Sequence, residues 1–185
     1  MSIAAQPLAG SFVAESTHSS FQFAVKHMKV ATYRATFDDV SATVTGGEDG
    51  VQLDGAARVA SITIRDQHFR DHVVDGADFF DAGNHPEIRF RSTRVELSDD
   101  GAATVDGELT IRGVTHPVKA AGNYEPPVDD PFGNTRAAIQ LTAVVDRREW
   151  GMDWQAPLPK GGDVLGWDVE LTVVLALVKQ DGDAA

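Results

Sequence analysis

A hydrophobic period of two returns along almost the whole of this chain, and it constrains the fold more than any other feature. Phe21, Phe23 and Val25 alternate with Ser20, Gln22 and Ala24. Tyr33, Ala35 and Phe37 alternate with Arg34, Thr36 and Asp38, and Val40, Ala42 and Val44 with Ser41, Thr43 and Thr45. The pattern recurs at Val105, Leu109 and Ile111, at Ile139, Leu141 and Ala143, and at Trp167, Val169, Leu171 and Val173. Successive strand residues point to opposite faces, so each segment reads as a strand with one dry and one wet face.

Turn signals separate these segments: Gly46-Gly47-Glu48-Asp49-Gly50, Asp99-Asp100-Gly101 and Arg112-Gly113-Val114-Thr115. Their short, regular spacing points to antiparallel pairing and an all-β chain. The dry faces must be covered, either by packing two sheets together or by closing one sheet on itself. Alternation alone leaves sandwich and barrel open. Asp66 to Asp75 breaks the pattern, with Phe69 and Val73 at helical spacing, and reads as a short helix leading into Asp78-Phe79-Phe80-Asp81. Asn123 to Thr135, with Pro126, Pro127, Pro131 and Gly133, reads as a long irregular connection. Asp146 to Gly162 reads as loop-rich, and Gln180 to Ala185 as a disordered tail. No repeat or linker divides the chain, so one domain is expected over 1–185.

Composition narrows the partners. The net charge of −12 would repel a phosphate backbone, so nucleic acid is not an expected ligand. It would also repel an anionic bilayer at long range, so lipid would be met one molecule at a time or at a small docking patch. The absence of cysteine removes disulfides, thiolate metal sites and Cys nucleophiles. Met1 to Gly10 lacks the basic and apolar regions of a signal peptide, and the longest apolar run, Val173 to Val178, is strand-sized. A soluble, cytoplasmic protein without an integral membrane segment is expected.

No set of polar residues converges on chemistry. His68 and His72 lie four apart, a spacing that can share a metal, but there is no HExxH and no third ligand, so a solvated helix is the reading. His85 and His116 each precede a proline and read as structural; His18 and His27 flank the first long strand and could meet a headgroup. There is no Gly-x-Ser-x-Gly elbow, and the pairs Asp38-Asp39 and Asp129-Asp130 would point to opposite faces. No catalytic residue, metal or cofactor is expected. The strand-facing set includes Ala35, Ala42, Gly107, Ala137 and Ala143, which fits either tight packing or an internal cavity.

Several segments occur together in a fixed order. His18-Ser19-Ser20-Phe21-Gln22-Phe23-Ala24-Val25-Lys26-His27-Met28 is followed by Arg70-Asp71, by Asp78-Phe79-Phe80-Asp81, and by His85-Pro86-Glu87-Ile88-Arg89-Phe90-Arg91-Ser92-Thr93. Then come Gly107 to Val118 (GELTIRGVTHPV), Phe132-Gly133, Arg147 with Trp150-Gly151, and Gly166 with the final strand. This order resembles the YceI-like family over about residues 11–180. It departs at His72-Val73-Val74, where relatives have His-Leu after Arg-Asp, and at Asp146-Arg147, where they have Asn-Arg.

The resemblance implies a closed antiparallel eight-stranded lipocalin-like barrel with a short helix inserted in one connection. It implies binding, storage or transport of an amphiphilic isoprenoid lipid (a polyisoprenoid or an isoprenoid quinone-like molecule) in an apolar interior. The expected lining is Phe21, Phe23, Phe37, Phe90, Leu109, Ile111, Ile139, Leu141, Leu171, Val173 and Leu175. About a third of these should fill a closed end, because small barrels pack part of their interior with side chains. Phe79, Phe80, Trp150 and Trp154 are expected either to form the mouth or to plug the helix onto the barrel. A homodimer stays open as a partner state. The other readings are an enzyme acting on such a lipid, and a stress-response interaction module whose barrel is solid.

Overall fold

The computed structural model describes residues 8–180. The strands are β1 (Gly10–Ala14), β2 (Ser20–His27), β3 (Ala31–Phe37), β4 (Val40–Gly47), β5 (Gly50–Arg58), β6 (Glu87–Leu97), β7 (Ala102–Ile111), β8 (Val114–Asp129), β9 (Thr135–Asp146) and β10 (Leu165–Lys179). A single α-helix among the described residues, α1 (Gln67–Asp75), lies between β5 and β6. Expected features at residues 1–7 and 181–185 lie outside the described residues. Gln180 itself is tied down: its N–H donates to the Ser11 carbonyl at 2.8 Å.

All pairings are antiparallel. The ladder runs β1-β4-β5-β6-β7-β8-β9-β10 and returns to β1 through a β1–β10 pairing, so eight strands close a barrel. Closure leaves no sheet edge along that ring. The β2–β3 hairpin extends one end of this wall, with β2 on the first half of β10 and β1 on the second. Ser19 sits at the break between β1 and β2. Its hydroxyl oxygen accepts the Ala176 N–H at 3.0 Å, replacing a backbone partner where the ladder is interrupted.

At the hairpin end β3 makes no ladder with β5, and the insertion between β5 and β6 fills the gap. Phe37 bridges to Ile62, and the Thr63 N–H donates to the Thr36 carbonyl at 2.8 Å. The Asp66 carboxylate caps α1 by accepting the Phe69 N–H at 2.8 Å. Val73 and Val74 bury the helix on the barrel, and Phe80 packs edge-on against Phe37 with centroids 5.8 Å apart.

Two sequence expectations change here. Asn123 to Thr135 is no long loop: β8 continues through Pro126 and Pro127 to Asp129, leaving only residues 130–134 as a turn. The β8–β9 register shifts between Glu125 and Val128, so the two prolines fall where an irregularity removes the need for their missing N–H groups. Trp167, which alternation assigns to the dry face, lies instead beneath two guanidinium groups. The β10–β2 register is irregular between Leu165 and Val169, and the Arg147 and Arg148 guanidinium carbons lie 4.2 and 4.8 Å from the indole centroid.

The turn after β8 carries a charge clasp. The Asp130 carboxylate accepts from Arg136 Nε at 2.6 Å and from the Asn134 and Phe132 N–H groups, each at 2.9 Å. Arg136 also reaches Glu15 at 2.9 Å, joining this turn to the end of β1. The Arg136 guanidinium and the amide donors hold the Asp130 pKa well below the usual carboxylate range. A carboxyl with a depressed folded-state pKa stabilises the fold above its unfolded pKa and loses that contribution as pH falls toward the folded one. Asp130→Asn is therefore expected to flatten the acid limb of a melting-temperature profile below the usual carboxylate range. An unchanged acid limb would show the clasp to be inert.

Candidate functional site: an apolar interior in three layers

Inward residues fall into layers along the barrel axis. At the end away from α1, Leu8, Phe12, Val44, Val105, Ile139 and Leu177 form a solid plug. Next comes a cavity of about 110 Å³, with Leu53, Phe90, Leu109, Leu141, Val173 and Leu175 on its wall. Beyond it, toward α1, lies a second cavity of about 400 Å³, walled by Phe23, Val25, Phe37, Ile111, Val145 and Val169. Phe21, Ile88 and Leu171 belong to both walls. The strands make the order explicit: β10 passes from Val169 through Leu171, Val173 and Leu175 to Leu177, and β9 from Val145 through Leu141 to Ile139.

Ten of the eleven residues expected to line the interior do so, and Ile139 belongs to the solid end. Leu141 and Leu175 pack in the same cluster as the plug while also bordering the inner cavity. The small residues divide between both roles open to them. Ala42 and Ala143 widen the inner cavity, whereas Gly107 serves packing, since a Cβ there would come within 2.3 Å of the Phe90 ring.

The four aromatic residues outside the strands separate. Phe79 and Phe80 line the outer cavity. Trp154 stacks on Phe79 at 5.7 Å and meets His72 edge-on, lying on neither cavity wall. Trp150 is fully buried, donates its indole N–H to the Leu109 carbonyl at 3.1 Å and meets His116 edge-on. It pins the turn after β9 to β7. Arg112 reinforces this join: its guanidinium donates to the Gly151 carbonyl, and to Ala77 of the insertion at 2.6 Å.

Among the described residues, four polar side chains reach the outer cavity wall, His27, Tyr33, Asp66 and Arg147, and of these the sequence marks only His27 as a headgroup contact. Burial pushes the Tyr33 phenol pKa up. Arg147 is 3% exposed, and desolvation pushes its guanidinium pKa down. It makes no ion pair among the described residues. Instead Nε donates to the Gly166 carbonyl at 2.9 Å and Nη1 to Met152 at 2.6 Å. The signal available in the sequence was Asp146-Arg147 before Trp150-Gly151, matched as a motif without a role. Among the described residues, no polar side chain other than Ser41 reaches the inner cavity wall.

Fold and interior together define an eight-stranded antiparallel barrel with an apolar cavity, solid at one end. A profile of the YceI-like domain matches residues 12–177, and the chain belongs to that family. A UPF0312 protein of Staphylococcus aureus is 29% identical over 165 residues, covering 86% of this chain and 92% of the relative. Among solved structures, Burkholderia cenocepacia BcnA superposes with a TM-score of 0.69 at 19% identity, over 90% of this chain and 99% of that one. A polyisoprenoid binding domain from Saccharophagus degradans gives 0.70 at 11% identity, over 94% and 100%. Among the described residues, no helix is long and apolar enough to cross a membrane.

Proposed function

We propose that this barrel binds and carries an amphiphilic isoprenoid lipid, with its chain in the inner and outer cavities and its polar end near His27, Tyr33 and Arg147. The observation that carries this reading is the axial layering. Two apolar spaces share three wall residues, and polar groups other than Ser41 gather at one end only. A chain-like guest with one polar terminus fits that distribution. The larger cavity lies within the range of roughly 300–1,000 Å³ seen for small-molecule sites. Burying ~400 Å² of apolar guest surface contributes roughly 10 kcal/mol gross at ~25 cal/mol per Å². Ordering the chain and losing its translation offset much of this. The solved Saccharophagus degradans domain, described as polyisoprenoid binding, supports the same class of guest.

Carriage is favoured over turnover because two of the four polar groups at the outer cavity, Asp66 and Arg147, are committed to structure. Asp66 caps α1, and Arg147 holds backbone carbonyls. The solid-barrel reading does not fit the two cavities.

Phe21 stands where the cavities meet, stacked on Phe37 at 5.2 Å. Delipidated protein titrated with prenyl alcohols of increasing chain length should show a preferred length. Phe21→Ala should shift that preference to longer chains and Phe21→Trp to shorter ones. Identical length profiles in all three proteins would refute a guest that threads past Phe21.

A further inference from the structure

The β2–β3 hairpin carries an exposed tip that the interior does not explain. Met28 and Val30 are 45% and 86% exposed, and Phe69 of α1, which meets Tyr33 of the hairpin edge-on at 5.8 Å, is 38% exposed while also lining the outer cavity. The tip is a tight turn in which the Val30 N–H donates to the His27 carbonyl, with Met28 at φ 50° and Lys29 at φ 63°. Side-chain-bearing residues seldom adopt that left-handed conformation twice in succession, and Asn-Gly would hold such a turn with less strain. A strained turn that presents Met, Lys and Val to solvent is a candidate for function.

The charges around the tip are equally uneven. Lys26, Lys29, Arg34, Arg65 and Lys160 make no ion pair among the described residues, and all five lie at the α1 end of the barrel. Most other arginines in the described chain are paired, as Arg58 is with Asp39, Arg91 with Asp54, Arg94 with Glu96 and Arg136 with Asp130. Lys160 belongs to the turn whose Gly161 carbonyl accepts from Lys29 Nζ at 3.3 Å, so this turn and the hairpin tip form one surface. No acid occurs between Glu15 and Asp38, nor between Asp153 and Asp163, in a chain with 28 acidic residues. The opposite end carries acids in its turns: Glu48 and Asp49, Asp99 and Asp100, and Asp129. The α1 end also carries acids, Asp66, Asp71, Asp75, Asp78 and Asp81 in the insertion and Asp153 and Asp163 flanking the turn, so the cationic surface is confined to the hairpin tip and the Leu158–Gly162 turn. His27, next to the tip, lines the outer cavity and joins the two.

We propose that this tip docks the protein on an anionic lipid bilayer, with Met28 and Val30 entering the interface, Lys26, Lys29 and Lys160 meeting headgroup phosphates, and the outer cavity held against the membrane. This rests on the reading of the cavity as a lipid site. The unpaired lysines of the tip and the Leu158–Gly162 turn form a local cationic patch that complements a negative surface, although the molecule as a whole carries −12. Each lysine close to such a surface contributes about fivefold in affinity, and the attraction fades within a Debye length.

Co-sedimentation with vesicles of phosphatidylcholine, alone or mixed with phosphatidylglycerol, tests the proposal. The protein should bind the mixed vesicles, release with added salt, and ignore phosphatidylcholine alone. Combining Lys26→Glu, Lys29→Glu and Lys160→Glu should weaken binding by at least about a hundredfold. The same charge change placed elsewhere, as Arg91→Glu, Arg94→Glu and Lys119→Glu together, should leave most of the binding. Val30→Gln should weaken binding without any change in charge. Indifference to both vesicle types would overturn the proposal, and so would equal loss in the two triple variants. Organic extraction of the same protein preparations before any vesicle is added separates the two claims. Vesicle binding in this pattern with no lipid in any preparation would sustain docking and refute the cavity reading.

Discussion

Leu109→Arg should leave a barrel that folds but carries no lipid. Leu109 is 5% exposed and lies on the wall of the inner cavity, among apolar neighbours. A guanidinium there loses its water without a carboxylate to meet it, at an effective cost of several kcal/mol. It escapes that cost by admitting water or by extending along the axis through the space a guest would occupy. Either outcome removes the apolar contact worth roughly 10 kcal/mol gross. Bound lipid should fall from near one per protein to undetectable, and affinity for a prenyl alcohol by at least about a thousandfold. Ile139→Arg is the instructive contrast. Ile139 is fully buried in the solid end and touches neither cavity, so the same substitution should unfold the protein rather than empty it. A folded Leu109→Arg protein with full lipid content would overturn the assignment of the inner cavity.

Trp150→Ala should produce a large loss of stability in a barrel that still folds. The indole is fully buried, and its N–H is matched to the Leu109 carbonyl. Truncating a buried tryptophan costs about 3–5 kcal/mol, which lowers the melting temperature of a chain this size by about 10 °C. Trp150→Phe keeps most of the packing and drops the hydrogen bond, so about 1 kcal/mol is expected. Neither change should alter guest length selection, because Trp150 lies on neither cavity wall. Thermal melts with extraction of the folded fraction check both points. A variant that melts normally but loses its lipid would place Trp150 at the mouth after all.

What the sequence makes legible follows from what repeats. Alternation assigns Phe21, Leu109, Leu141 and Leu171 to one face because a strand has a strict period of two. The helix shows as Phe69 and Val73 one turn apart. Closure of the sheet is not local, because it depends on β1 pairing with both β4 and β10, and only the ordered family motifs point to it. Irregular places defeat pattern reading for specific reasons. At Trp167 a register shift breaks the period, and Pro126-Pro127 sit within a strand because a bulge excuses them. Ser19 and Arg147 look like ordinary polar residues in one dimension. In three, one repairs a broken ladder and the other gathers backbone carbonyls beside a cavity. Which lining residues border space and which are packed solid depends on axial position. Alternation does not carry that coordinate, so it cannot separate Ile139, packed in the plug, from Leu141, which borders space.

Lipid carriage by this barrel requires that the two cavities hold a lipid. Its most direct test is organic extraction of the purified, folded protein, followed by mass spectrometry of the extract and quantitation against protein. The expected result is a single class of isoprenoid lipid, near one per chain, absent from a Leu109→Arg preparation handled identically. An extract with no lipid, or the same lipids at the same level from both proteins, would contradict it.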